Sequence, residues 1–181
     1  MLNSSTFLEI ALAVSHLGAV FLPVNYRLAP EEVSYILNHA GAQYLFADDE
    51  LKDKADHSMT VFEVNEQVQL DSRLLGGEIN PDLARPVPKQ PEDLYRLMYT
   101  SGTTGHPKGV IHQYKNYYWK TIDHTMALGL DYNSKALVVG PMYHIGGLDL
   151  PGFSVLLHGG MLCILREYDP TAVFTAIEQE Q

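Results

Sequence analysis

The sequence predicts an α/β fold, a mostly parallel sheet flanked by helices, and three observations carry that prediction. Segments with helical apolar spacing alternate with short apolar runs along the chain, which is the signature of strands joined by crossover helices. The runs Leu137-Val138-Val139 and Met161-Leu162-Cys163-Ile164-Leu165 are continuously apolar, as expected of strands covered on both faces. Hydrophobic residues make up 46% and charged residues 19% of the 181, enough apolar side chains for a core and too many for a disordered chain.

The elements follow in order. Asn3, Ser4 or Ser5 can cap a first helix whose apolar positions are Phe7, Leu8, Ala11, Leu12 and Leu17, and Gly18 ends it. Ala19–Val24 then reads as a short strand. Pro30 followed by Glu31 and Glu32 opens a second helix, with proline at its start and acids over its first turn. Val33, Ile36 and Leu37 form its buried stripe, Gly41 closes it, and Gln43–Ala47 is a second strand. Asp48–Gln69 reads as a helix and a strand around Met59–Val64. Gly76–Asp93, with Pro81, Pro86, Pro88 and Pro91, is a surface connection rather than a domain boundary. Leu94–Thr100 is a strand, Gly102–Gly109 a glycine-rich loop, Val110–His112 a short strand and Gln113–Leu128 a helix. Ala136–Gly140 and Met161–Leu165 are strands around a helix over Leu148–His158, and a last helix starts at Pro170. There is no internal repeat and no low-complexity tract.

Charge and cysteine content narrow the function classes. Twelve Lys+Arg against 22 Asp+Glu give a formal net charge of -10, which argues against nucleic acid or an anionic membrane as the main partner. A local nest of backbone N–H groups can still hold a nucleotide against that global charge. A single cysteine, Cys163, cannot form an intrachain disulfide, and its apolar neighbours mark it as a small packed side chain rather than a nucleophile. The start lacks a basic segment, and the apolar stretch Phe7–Val24 is interrupted by Glu9, His16, Gly18 and Pro23. A cytoplasmic protein without an integral membrane segment is therefore expected. The 8 histidines show no metal-ligand spacing, so no structural metal is expected.

The most informative segment is Tyr99-Thr100-Ser101-Gly102-Thr103-Thr104-Gly105-His106-Pro107-Lys108-Gly109-Val110. Gly102, Gly105 and Gly109 permit tight curvature and close approach of a ligand. Thr100, Ser101, Thr103 and Thr104 supply hydroxyls, and Lys108 supplies a mobile positive charge. Backbone N–H groups, hydroxyls and one ammonium are what a polyphosphate requires. The loop is not the common triphosphatase pattern, because Pro107 precedes Lys108 where glycine is needed and Gly109 follows it where Ser or Thr is needed.

The same segment resembles the signature YTSGTTGxPKGV of the adenylate-forming (AMP-binding) superfamily, which includes acyl-CoA synthetases, peptide-synthetase adenylation domains and luciferases. Only His106 occupies its free position. Leu17–Leu28 is similar to the family's GAVxxPxNxRL segment, Glu31–Leu37 to the helix after it, and Pro141-Met142-Tyr143-His144-Ile145-Gly146-Gly147 to its PxFHxxG segment. The resemblance covers essentially the whole chain. It implies that a carboxylate attacks the α-phosphate of Mg-ATP to give an acyl-adenylate and pyrophosphate, after which coenzyme A displaces AMP. Thr100, Ser101, Gly102, Thr103, Thr104, Gly105 and Lys108 would hold the β- and γ-phosphates, with Thr100 the only side chain directed toward the magnesium. Tyr143 and His144 would line the acyl and coenzyme A pocket, with Gly146 and Gly147 leaving room there.

The resemblance also points to a branch. Amino-acid activators carry an Asp after the aromatic of the pocket segment to meet the substrate ammonium; His144 stands there, and Asn25 follows Pro23-Val24. A simple fatty or aryl acid is therefore the expected substrate. Tyr114 stands where the family often has His, and Glu167 where it has a basic residue, with Arg166 beside it. Tyr114, Tyr117, Tyr118 and Trp119 read as packing rather than a base-stacking platform. The resemblance implies that residues 1–181 are a partial amino-terminal domain. It would lack the adenine-binding and YGxTE segments and the carboxy-terminal domain, and would be inactive by itself. Such a piece exposes apolar surface, so a twofold homodimer is expected. The alternatives are a truncated, non-enzymatic nucleotide- or partner-binding protein, an amino-acid adenylation fragment and, against the failed motif, a triphosphatase.

Overall fold

A computed structural model describes residues 1–54, 60–64, 85–100 and 105–180. It divides the chain into two units. The first holds Met1, Ala11–Lys89 and Tyr95–Ile111; the second holds Leu2–Ile10, Gln90–Leu94 and His112–Gln181.

Helix α1 spans Ser5–His16, with its residues through Ile10 in the second unit and the rest in the first. Ser4 is its cap, since its Oγ accepts from Phe7 N at 3.1 Å, and Gly18 ends it at φ 71°. Phe7, Leu8 and Ala11 are buried, whereas Leu12 and Leu17 are exposed. The first unit continues with α2 (Pro30–Ala40), which meets every expectation placed on it. Proline opens it, Glu32 returns its carboxylate to Ala29 N at 3.0 Å, Val33, Ile36 and Leu37 are buried, and Gly41 closes it at φ 64°. Strands β1 (Tyr44–Asp48) and β2 (Thr60–Val64) pair in parallel, Phe46 opposite Phe62, with a 3₁₀ turn at Asp49–Lys54 between them. Strands β3 (Leu94–Thr100) and β4 (Lys108–Gln113) pair with each other.

The expected strand at Ala19–Val24 is reduced to one parallel bridge, Phe21 to Arg96. Phe21 N donates to Tyr95 O at 3.2 Å and Leu97 N to Phe21 O at 3.0 Å. Pro23 has no N–H to carry the ladder further. The connection after Arg85 is irregular, as expected, and Lys89 Nζ ties it to Gly18 O at 2.6 Å.

In the second unit α3 (Tyr114–Leu128) ends at Gly129, with φ 63°. Strands β5 (Lys135–Val138) and β6 (Met161–Ile164) pair in parallel, Val138 opposite Ile164. Val138 is buried, but Met161 is exposed and the rest of β6 is half-buried, so β6 is not covered on both faces. The helix expected over Leu148–His158 is broken into α4 (Ile145–Leu148), a π turn at Asp149–Phe153 and α5 (Ser154–Leu157). The cause is Pro151: the residue before a proline is pushed out of the helical region, and Leu150 sits at φ -112°, ψ 101°. Helix α6 (Pro170–Gln179) is capped by Asp169, whose Oδ1 accepts from Ala172 N at 2.7 Å.

Of the aromatic cluster, Tyr117 packs edge-on against Phe153 at 5.5 Å. Tyr118 and Trp119 are exposed and contact each other, so the packing expectation fails for them. Cys163 is a half-buried free thiol. No helix among the described residues is long and apolar enough to cross a membrane.

Candidate functional site

The glycine-rich segment joins β3 to β4 in the first unit. Strand β3 is anchored by buried Tyr95, Arg96 and Met98, with the Arg96 guanidinium 5.5 Å from the Tyr95 ring centroid. Thr100 ends this strand and Lys108 begins the next, and both are exposed. Gly105 has φ 141°, a backbone conformation side chains rarely adopt, and a Cβ built there would meet nothing within 4 Å. Its glycine therefore serves backbone conformation rather than space. Gly109 is glycine for the other reason, because a Cβ would lie 3.1 Å from the Tyr99 ring. Ser101, Gly102, Thr103 and Thr104 lie outside the described residues.

The ends of the loop contact α2. His39 Nδ1 and the Tyr99 hydroxyl share a 2.7 Å hydrogen bond whose donor depends on the imidazole tautomer. Burial, then the neighbouring Tyr35, raises the Tyr99 phenol above its ordinary value. His106 stacks on Tyr35 with centroids 4.6 Å apart. Thr100 offers an exposed hydroxyl and Lys108 an exposed ammonium, groups that can donate hydrogen bonds to phosphate oxygens.

The Pro141–Gly147 block belongs to the second unit. Met142 is buried and donates its N–H to Asn3 Oδ1 at 2.8 Å, while Asn3 Nδ2 donates to Gly140 O at 2.9 Å and Leu165 O at 3.1 Å. One buried side chain thus joins the chain just beyond β5 and just beyond β6. Sequence reasoning saw Asn3 only as a helix cap; the long-range pairing left no local signal. His144 is exposed and caps α4, its Nδ1 accepting from Gly146 N at 3.3 Å. A neutral ring accepting at Nδ1 carries its proton on Nε2. Tyr143 is half-buried and Gly146 exposed. Gly147 is buried, and a Cβ there would lie 2.6 Å from Gly140 O, so its missing side chain admits backbone.

The second unit also holds Asp149, 2% exposed, 3.8 Å from Lys120 Nζ. Beside them His124 has a buried Nδ1 with no hydrogen-bond partner among the described residues. Its pKa is lowered by burial and then by Lys120, against the opposing pull of Asp149 and Asp123. Among the described residues no group of His, Cys, Asp and Glu is placed to hold a metal.

A family model for AMP-binding enzymes matches residues 1–181. The chain belongs to the AMP-binding enzyme family. It is 35% identical over 169 residues to 2-succinylbenzoate–CoA ligase of Geobacillus sp. (strain WCH70), covering 93% of this chain and 32% of that protein. It is 33% identical over 181 residues to feruloyl-CoA synthase of Amycolatopsis sp, covering 99% and 35%. The chain spans about a third of the length of these curated relatives. The solved structure of O-succinylbenzoate coenzyme A synthetase (MenE) from Bacillus subtilis, in complex with ATP and magnesium ion, matches with a TM-score of 0.80. Identity there is 23%, over 99% of this chain and 36% of that one, and the likeness shows the shared fold. Two relatives within this family are acid–CoA ligases by name, and the expected α/β fold is shared with the solved structure.

Proposed function

We propose that this chain contributes the ATP phosphate-binding loop of an AMP-forming acid–CoA ligase. The observation that carries the reading is the β3–β4 connection. The family signature falls on two paired strands, with Thr100 and Lys108 exposed at the strand ends and Gly105 in a glycine-favouring conformation. Thr100, Ser101, Gly102, Thr103, Thr104, Gly105 and Lys108 hold the β- and γ-phosphates, and Thr100 faces the magnesium that accompanies ATP. The chemical need is stabilisation of the charge that grows on the leaving pyrophosphate. Lys108 meets it with an ammonium free to follow the departing oxygens.

Tyr143, His144, Gly146 and Gly147 are assigned to the acyl and coenzyme A pocket. With Nδ1 accepting from Gly146 N, the Nε2–H of His144 is left to donate to a substrate or adenylate oxygen, and the position carries no carboxylate for an amino-acid ammonium. A carboxylic acid without an ammonium is the substrate class. The names of relatives include aryl acids and a long-chain fatty acid, which supports a fatty or aryl acid as substrate. Coenzyme A is the second substrate, and the protein works in the cytoplasm as a homodimer.

Calorimetric titration of the 181-residue chain with Mg-ATP tests the loop. Lys108→Ala should weaken binding by about 10- to 150-fold, the worth of a charge-assisted contact to phosphate. Equal affinity of the two proteins would remove the loop assignment.

A further inference from the structure

We propose that α2 positions the phosphate loop through a clamp of four rings, with Tyr35 and His39 as positioning residues on the helix and Tyr99 and His106 as their partners at the two ends of the loop. This inference rests on reading the β3–β4 connection as the phosphate site, and deepens it.

Tyr35 and His39 are separated by one helical turn on α2, so their rings project side by side, 5.4 Å apart. The helix spends Val33, Ile36 and Leu37 on the core, which leaves this second pair for another task. Each ring engages a different end of the loop. His39 bonds the Tyr99 hydroxyl at 2.7 Å and meets its ring edge-on at 5.8 Å, one residue before Thr100. Tyr35 stacks on His106 at 4.6 Å with planes 19° apart, two residues before Lys108. The absent side chain at Gly109 lets the Tyr99 ring lie against the backbone at the start of β4, at 3.1 Å from a would-be Cβ. A tyrosine phenol is protonated at neutral pH, and burial and then Tyr35 raise the Tyr99 pKa further, so the group is a hydrogen-bonding hydroxyl there.

The physical consequence is preorganisation. Glycine-rich backbone loses much conformational freedom when it closes on a ligand, and binding must supply that free energy unless the fold has already done so. Holding Thr100 from one side and Gly105 through its neighbour His106 from the other fixes both ends of the segment before ATP arrives. The position of the signature that tolerates any residue is therefore used here for attachment to the helix.

The test compares amide hydrogen exchange and Mg-ATP affinity in the 181-residue chain and its Tyr35→Ala, His39→Ala, Tyr35→Phe and Tyr99→Phe variants. Tyr35→Ala and His39→Ala should speed exchange at Thr100, Gly105 and Gly109 about 10-fold and weaken Mg-ATP about 3- to 10-fold, while the α2 amides of Ile36 and Leu37 stay protected. Tyr35→Phe, which keeps the stacking ring, should restore both readouts. Tyr99→Phe removes one hydroxyl only and covers the case in which an alanine variant fails to fold; it should speed exchange at Thr100 about threefold. Loop amides that exchange at the wild-type rate in any folded variant lacking a clamp contact would overturn the proposal. If the wild-type chain does not bind Mg-ATP, the phosphate-site reading fails, and the exchange rates still decide whether the clamp exists.

Discussion

Removing the Asn3 side chain tests how the second unit is held together. Its amide donates to Gly140 O at 2.9 Å and Leu165 O at 3.1 Å and accepts from Met142 N at 2.8 Å. Asn3 is 6% exposed, so water cannot readily replace these bonds in the Asn3→Ala variant. Three bonds at about 0.5–1.5 kcal/mol each, with the buried Met142 N–H left unsatisfied, give a loss of about 2–4 kcal/mol. At a urea m-value of about 2 kcal/mol/M, the unfolding midpoint should fall by about 1–2 M. Asn3→Asp separates the contributions, since it keeps the acceptor for Met142 but turns a carboxylate oxygen toward two carbonyls. It should be at least as destabilising as alanine at neutral pH. Urea unfolding followed by far-UV circular dichroism measures both. An Asn3→Ala midpoint within about 0.2 M of wild type would mean that this bond set does not organise the ends of β5 and β6.

Two further outcomes follow from the structure. His124 has a pKa below the unfolded histidine value of about 6.5, so the unfolded chain takes up its proton first and stability falls as pH drops through that value. His124→Gln should flatten the loss of stability between pH 7 and 5 relative to wild type; an unchanged pH profile would contradict the assigned shift. On the exposed face of the β1–β2 sheet, Tyr44, Phe46 and Phe62 form a row of aromatic rings, with Phe46 and Phe62 stacked 5.1 Å apart. Light scattering at tens of micromolar should show self-association that Phe46→Lys or Phe62→Lys weakens, whereas a wild-type monomer would rule out the dimer.

What could be read from the sequence was local. Helix α2 was legible from end to end because proline, the paired acids and the closing glycine each act within one turn. Strand β3 was legible to the residue, and the chemistry of the loop lies in residue types that recur at fixed spacing. What was missed has two sources, local prolines and distant partners. The bridge at Phe21 falls short of a strand because Pro23 cannot donate, and the break at Leu150 follows from Pro151, a signal present in the sequence and outweighed by the apolar run around it. Asn3 meets residues 137 to 162 positions away, and His39 meets Tyr99 60 positions away, so neither pairing leaves a periodic trace. Gly147 lies against the backbone carbonyls of Pro141 and Gly140, a close approach that the residue types around it do not announce.

The central claim is that the Tyr99–Val110 segment is where the phosphates of ATP bind. The most direct measurement is a titration of the isotopically labelled 181-residue chain with Mg-ATP, followed by backbone amide resonances. The account predicts that the largest shifts fall on Thr100 through Lys108, that pyrophosphate reproduces them without the adenosine moiety, and that Lys108→Ala suppresses them. Shifts confined to other segments, or none at millimolar Mg-ATP, would contradict it.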